Sequence, residues 1–359
     1  MKRKLPYPFS FSSPLQTFRL TDGMKHYVRR NNCFDLLRYL FALLIVAFHF
    51  SVLTHAEWSE MMVQSGPLSV KAFFVMTGFL VAYSFLQHEH HLQKYFRKRF
   101  ERILPAYVVV VLFCFLLGMM LSSYSVADFL TSKESWKYLG SNLLMLNWLQ
   151  PSLPGTFTRC HMTAVDGSLW TMKFELLFYV LLPLFVRALR SSVGYYLLGA
   201  WVLATFWIYP QAPPQLKYFC FFLSGMGVLF SIDWLNRGNR FRNVFVCSVL
   251  IELLLYVPSY DGMPLLYEQL RTLEVFSYPI LLIYLAYNLP VPKVLLSLPN
   301  VTYGIYLYHF PVIQAIVQTG VFRGHGLLMF LSVYGITFVL AILSYMFIER
   351  KYIRSHIAK

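Results

Sequence analysis

The chain has 359 residues, of which 57% are apolar and only 13% charged, about half the charged share of a water-soluble domain. Composition therefore excludes a globular protein dissolved in water and predicts one whose main solvent is lipid. The net charge of +15 does not indicate a nucleic-acid binder, because the basic residues gather in short connections between apolar runs, as in membrane proteins with a positive inner face.

Residues 1–33 carry Lys2, Arg3, Lys4, Arg19, Lys25, Arg29 and Arg30 without an apolar stretch. They lack the apolar core of a signal peptide and are expected to stay attached as a cytoplasmic tail. Apolar runs follow near 34–54, 68–87, 103–122, 138–150, 168–187, 194–210, 215–232, 243–258, 273–289, 298–319 and 327–348. The run at 138–150 is shorter than the roughly 20 residues a bilayer requires and suits a re-entrant or interfacial helix.

Leaving that run out of the membrane sorts the charges. One side then holds the tail, the cluster Lys94, Arg97, Lys98, Arg99 and Arg102, and the smaller sets Arg187 and Arg190, Arg237, Arg240 and Arg242, Lys293, and Arg350, Lys351 and Arg354; the other side begins with 55–67, which has no Lys or Arg. The basic side is cytoplasmic. The expected fold is an all-α polytopic membrane protein with about ten transmembrane helices plus one short re-entrant or interfacial helix, both termini cytoplasmic. Its organisation is a tail at 1–33, a membrane domain at 34–349 and a tail at 350–359. Pro183, Pro279 and Pro311 fall inside runs and are expected to kink or break helices. The five cysteines show no CxxC spacing, so neither a disulfide framework nor a zinc site is expected.

Titratable residues inside a span are costly and are therefore functional candidates. The first span, FDLLRYLFALLIVAFHF, holds Asp35, Arg38 and His49. Eleven residues separate Arg38 from His49, which at 100° per residue returns to within about 20° of the same face, about 16 Å along the axis. Arg38 is predicted near the cytoplasmic end, paired with Asp35 three residues before it, and His49 in the outer half. The plainer reading has Arg38 snorkelling to headgroups and His49 in an interhelical hydrogen bond; the shared face favours a common cavity.

The span SLWTMKFELLFYVLLPL carries Trp170 and Glu175 near its outer end, at about the depth of His49, some 8 to 9 Å. A carboxylate there is placed to orient the imidazole, against the plainer reading of a structural polar contact. In HEHHLQKYFRKRFERILPAY, the adjacent His88, Glu89, His90 and His91 cannot converge on one ion from one helix, so no metal is expected. Arg99 and Arg102, at i and i+3, suit a bidentate phosphate clamp, beside the plainer reading of topology anchoring. Thr77 precedes Gly78 in FFVMTGFLV, where small residues permit close helix packing. Tyr306 and His309 in TYGIYLYHFPV share a face and are placed to line the same cavity, although a structural role is the plainer reading for His309.

Taken in order, FDLLRYLFALLIVAFH, FFVMTGFLV, RKRFERILPAY, SLWTMKFELLFY, TYGIYLYHFPV and SYMFIERKY resemble the acyltransferase 3 family of integral membrane acyltransferases. The resemblance covers about 34–354 and includes an Arg/Lys-x10-His pattern at Arg38 and His49 and an Arg-x-x-Arg pair at Arg99 and Arg102. Thr77 stands where Ser is commoner. The resemblance implies transfer of an acyl group, commonly acetyl from acetyl-CoA, to a hydroxyl of an extracytoplasmic surface polysaccharide, lipopolysaccharide or lipid-linked saccharide, in a bacterial cytoplasmic membrane. It places catalysis on His49 and the acyl-CoA on Arg38, Arg99 and Arg102; the matched depth adds Glu175 as the residue expected to orient His49. Asp35, Thr77, Trp170, Tyr306 and His309 are the expected cavity residues. No bound cofactor and no nucleic-acid partner are expected; acyl-CoA is a co-substrate and membrane lipid the surroundings. Attack assisted by a general base and a transient acyl-histidine both fit these residues. The alternative is a transporter or flippase of a lipid-linked glycan or small anion, which predicts inverted repeats that the sequence does not display.

Overall fold

The structure, a computed structural model, describes residues 18–255, 267, 269–290 and 299–352. Of the charges used for the topology, Lys2, Arg3, Lys4, Lys293 and Arg354 lie outside the described residues. Among the described residues the chain is all-helical, as its apolar periodicity predicts. The helices that matter below are α1 (Asp22–Val28), α2 (Phe34–Thr54), α3 (Ser65–His88), α4 (Leu92–Leu121), α5 (Lys133–Leu143), α6 (Trp170–Leu189), α7 (Gly194–Ile208), α8 (Pro214–Phe230), α9 (Arg240–Leu255), α10 (Glu274–Asn288), α11 (Thr302–Thr319) and α12 (Gly326–Ser344).

Among the described residues five helical stretches are long and apolar enough to cross a bilayer: Phe34–Thr54, Glu57–His88, Leu92–Leu121, Gly167–Leu189 and Gly326–Tyr352. The other five expected spans are helices as well, α7 to α11, of 15 to 18 residues. At 1.5 Å per residue these reach about 22 to 27 Å, just short of a 30 Å hydrocarbon core. The run at 138–150 is not a single helix. It straddles the end of α5, where Met145 turns into left-handed backbone, and a 3-10 turn at Asn147–Leu149.

Helices α6, α10 and α11 continue through Pro183, Pro279 and Pro311, so none of these prolines ends its helix. Within the segment expected as a tail, residues 22–28 form a helix. This helix, α1, is capped by the Thr21 hydroxyl, which accepts from the Met24 N–H at 3.0 Å, and it buries Met24 and Tyr27.

The chain divides into two compact units. The first comprises the N-terminal residues to Asn31, then Phe74–His90 and Tyr179–Tyr287. Within it α3 and α8 cross at backbone contact: a Cβ at Gly78 would lie 2.0 Å from the Phe222 carbonyl oxygen, and one at Gly225 would lie 2.3 Å from that of Val75. Small residues are what permits two helices to approach so closely in lipid. Tyr27 of α1 packs on Tyr287, ring centroids 4.3 Å apart, and Arg190 pairs with Glu89 at 2.8 Å.

The second unit comprises Asn32–Phe73, His91–Phe178 and Asn288 onward. Its core is built on α11, which packs between α2 and α12 through Ala42, Val46, Phe50, Ile305, Ile313, Val333 and Ala341. Gly304 makes the approach possible, since a Cβ there would lie 2.8 Å from Ala341 Cα. Tyr303 donates its hydroxyl to the Ile103 carbonyl at 3.0 Å, tying α11 to α4.

Candidate active site

All the candidate residues except Thr77 belong to the second unit; Thr77 lies in the first. Helix α2 carries three of them. Arg38 Nη1 donates to Asp35 Oδ1 at 2.6 Å, the expected i, i+3 pair. Asp35 Oδ1 accepts a second bond from Asn300 Nδ2 at 2.7 Å, and Asn300 Oδ1 in turn accepts from the Thr302 hydroxyl at 2.6 Å. The start of α11 is thereby joined to the carboxylate that orients Arg38. Asn300 was detectable only as a polar residue just before an apolar helix, where Asn side chains commonly bond the backbone of the turn.

Eleven residues further along α2, the His49 ring faces α11. Its Nδ1 is 2.9 Å from His309 Nε2 and 3.2 Å from the Ile45 carbonyl oxygen. His309 is fully buried, and its Nδ1 is 3.1 Å from the Ile305 carbonyl oxygen. With both rings neutral, these distances assign the tautomers. A carbonyl oxygen only accepts, so His309 Nδ1 carries hydrogen, and its Nε2 in the neutral ring is a lone pair. His49 Nδ1 must then donate to that lone pair, which leaves His49 Nε2 unprotonated as the basic nitrogen of the pair. Phe310 edges onto the His49 ring at 5.2 Å between centroids, so the imidazole is held between an aromatic wall and a hydrogen-bond acceptor.

The side chain that meets the His49 ring is a second histidine. Glu175 is not among the hydrogen-bond partners given for His49 and has an interaction of its own. Equal depth is a necessary condition for contact, but the rotation of α6 decides which way a side chain faces, and helix rotation is a tertiary property. Trp170 opens α6, with its ring 5.8 Å from that of Phe174.

Tyr306 lies beside the pair, its ring 5.8 Å from that of His309. Its hydroxyl donates to the Ser168 carbonyl at 2.7 Å and meets the Thr171 hydroxyl at 2.5 Å. Ser168 sits in the turn before α6, where Asp166 Oδ1 accepts from the Ser168 N–H at 3.0 Å and from its hydroxyl at 2.7 Å. Asp166 was open to detection as an Asp two residues before a serine at a helix start, an Asx-turn pattern.

Arg99 and Arg102 lie one turn apart on α4. Arg102 is exposed and within electrostatic reach of Glu349, a buried carboxylate at the end of a π-helical turn, Tyr345–Glu349, that accepts from the Ser344 hydroxyl at 3.0 Å. Single π turns often mark functional positions. Among the described residues no group of three or more metal-ligating side chains converges.

The sequence profile of the acyltransferase 3 family, described as an acyltransferase domain, matches residues 31–346. Three relatives resemble the chain over most of its length. Nodulation protein 10 of Rhizobium leguminosarum bv. viciae is 28% identical, over 89% of this chain and 92% of the relative. The O-acetyl transferase of Shigella phage Sf6 is 25% identical, over 91% and 97%. A putative acetyltransferase, ORF330, of Acidianus two-tailed virus is 26% identical, over 72% and 77%. No solved structure matches. With the match spanning both the Arg38 to His49 helix and the Tyr306 to His309 helix, the chain belongs to the acyltransferase 3 family.

Proposed function

We propose that this acyltransferase moves an acyl group, acetyl in the simplest case, from acyl-CoA on the cytoplasmic side to a hydroxyl of an extracytoplasmic glycan in a bacterial inner membrane. The acceptor is a surface polysaccharide, lipopolysaccharide or lipid-linked saccharide. Transfer to oxygen is supported by the relative that is named an O-acetyl transferase. The ten-span topology with both ends cytoplasmic is part of this reading, with α7 to α11 crossing where the bilayer thins to meet them.

The observation that carries the proposal is the 2.9 Å bond between His49 and His309. It leaves His49 Nε2 as a base while providing an acceptor for the other ring nitrogen. In the reaction His49 Nε2 takes the proton of the acceptor hydroxyl as its oxygen attacks the thioester carbonyl. The tetrahedral centre collapses with cleavage of the C–S bond, and the departing thiolate takes the proton back from His49. The positive charge on the His49 ring during these steps is spread onto His309 through Nδ1–H, the part a carboxylate plays in other His-based catalysts.

The cationic residues suit the other end of the donor. Arg38 lies about 16 Å down the same helix face from His49 and is held by Asp35. Arg99 and Arg102 are the proposed contacts to the phosphates of CoA, where paired guanidinium groups bind well.

The test is thiol release from acetyl-CoA by membranes containing the full chain, with and without a saccharide acceptor. His49→Ala should abolish acceptor-dependent release while the protein inserts in normal amount. Substantial residual transfer would sink the assignment of His49, and absence of thiol release from the unaltered chain with any short acyl-CoA would sink the reading.

A further inference from the structure

The turn before α6 meets α11 at Tyr306 and Phe310, the two residues on either side of His309. Asp166 is 7% exposed, and its Oδ1 binds both the backbone and the hydroxyl of Ser168. That fixes the direction of the Ser168 carbonyl, which accepts the Tyr306 hydroxyl. The Ser168 hydroxyl also approaches the Tyr306 carbonyl at 3.4 Å. Between the two, Gly167 lies flat against Phe310: a Cβ there would lie 2.7 Å from the Phe310 Cζ atom. Tyr306 and Phe310 are one helical turn apart and flank His309, and the Phe310 ring also walls His49. Three consecutive residues thus hold α11 at the two positions that bracket its histidine.

We propose that Asp166, Gly167 and Ser168 form a positioning clamp that sets the His309 imidazole in line with His49, with Asp166 as its anchor. The clamp rests on the acyl-transfer reading for its functional meaning, but its geometry does not. Asp166 touches neither imidazole and acts through Ser168 and Tyr306. Burial pushes its carboxyl up to about 7 against the pull of the two Ser168 bonds. The titratable groups facing it are Tyr107 and Cys114 of α4 and Tyr138 of α5; none is a cation that would hold it ionised. An anchor of this kind works through hydrogen-bond acceptance at Oδ1, which an amide supplies as well as an acid.

The experiment compares the full chain with Asp166→Ala, Asp166→Asn and Tyr306→Phe in two measurements. The first is the steady-state kinetics of thiol release from acetyl-CoA. The second needs no activity: ring 15N spectra of histidine-labelled protein in detergent, which separate the Nδ1–H from the commoner Nε2–H tautomer. The clamp predicts two imidazoles in the Nδ1–H form in the unaltered chain. Asp166→Ala and Tyr306→Phe should lose that signature and lower kcat at least tenfold, with KM for acetyl-CoA within twofold. Asp166→Asn should recover most of both. If Asp166→Ala lowers only the amount of inserted protein, with kcat per molecule and the tautomer signature unchanged, Asp166 is a folding residue and the clamp is wrong. Should Asp166→Ala fail to insert, Tyr306→Phe carries the same comparison. If the unaltered chain releases no thiol but its tautomers respond as stated, acyl transfer fails and the clamp stands.

Discussion

His309 Nε2 stands 2.9 Å from His49 Nδ1 while His309 Nδ1 is occupied by a helix carbonyl. The pairing gives His309 a single task, to accept. His309→Ala should leave His49 without that acceptor and lower kcat by roughly 10²-fold, the lower end of what positioned acid–base groups contribute. His309→Gln, whose side-chain oxygen also accepts, should recover part of the loss. Steady-state thiol release is the measurement, and equal rates for Ala and Gln would refute the acceptor role.

Asp35 orients Arg38 and is itself tied to Asn300. Asp35→Ala should raise the KM for acetyl-CoA about tenfold, equivalent to about 1.4 kcal/mol of binding, with a smaller effect on kcat. Because the Asp35 side chain is half exposed, its loss should change unfolding stability by under about 1 kcal/mol. A fall in kcat with unchanged KM would place Arg38 elsewhere in the cycle.

The carboxyl of Asp166, pushed up to about 7 by burial, sets a pH dependence of known sign. An unfolded Asp loses its proton near 3.9, so between about 4 and 7 the folded state binds more protons than the unfolded one, and this residue's contribution to stability falls as pH rises. Above about 7 the penalty is complete. Asp166→Asn, which stays neutral, should therefore be nearly isostable with the parent at pH 4 and progressively more stable towards pH 8, by an amount on the order of 4 kcal/mol. Thermal unfolding in detergent across that range reads it, and a pH-independent difference would contradict it.

Gly78 and Gly335 are both helical glycines, yet they are not equivalent. A Cβ at Gly78 meets the Phe222 backbone at 2.0 Å, whereas one at Gly335 meets nothing within 4 Å. Gly78→Ala should separate α3 from α8 and cost about 1 to 3 kcal/mol; Gly335→Ala should be neutral or stabilising by up to about 1 kcal/mol. Melting temperatures of the two variants decide it, and similar values would mean that the crossing of α3 and α8 is looser than its geometry.

Composition by itself determined the lipid environment and the all-helical class, because apolar runs of bilayer length admit no other backbone that satisfies its own hydrogen bonds. One-helix geometry determined that Asp35 meets Arg38 and that Arg38 shares a face with His49, because a helix repeats at 100° per residue wherever it sits. The weakness of the run at 138–150 was equally local, a matter of counting residues. What the sequence could not determine was which side chain turns toward His49. Glu175 was expected at the depth of His49, and His309 only as a residue lining the same cavity; which of them meets the ring depends on the rotation of α6 and α11 about their own axes. That rotation is set by Gly304 against Ala341, by Tyr303 on Ile103 and by the Asp166 turn on Tyr306 and Phe310. These contacts join residues far apart in the chain, and only packing brings them together.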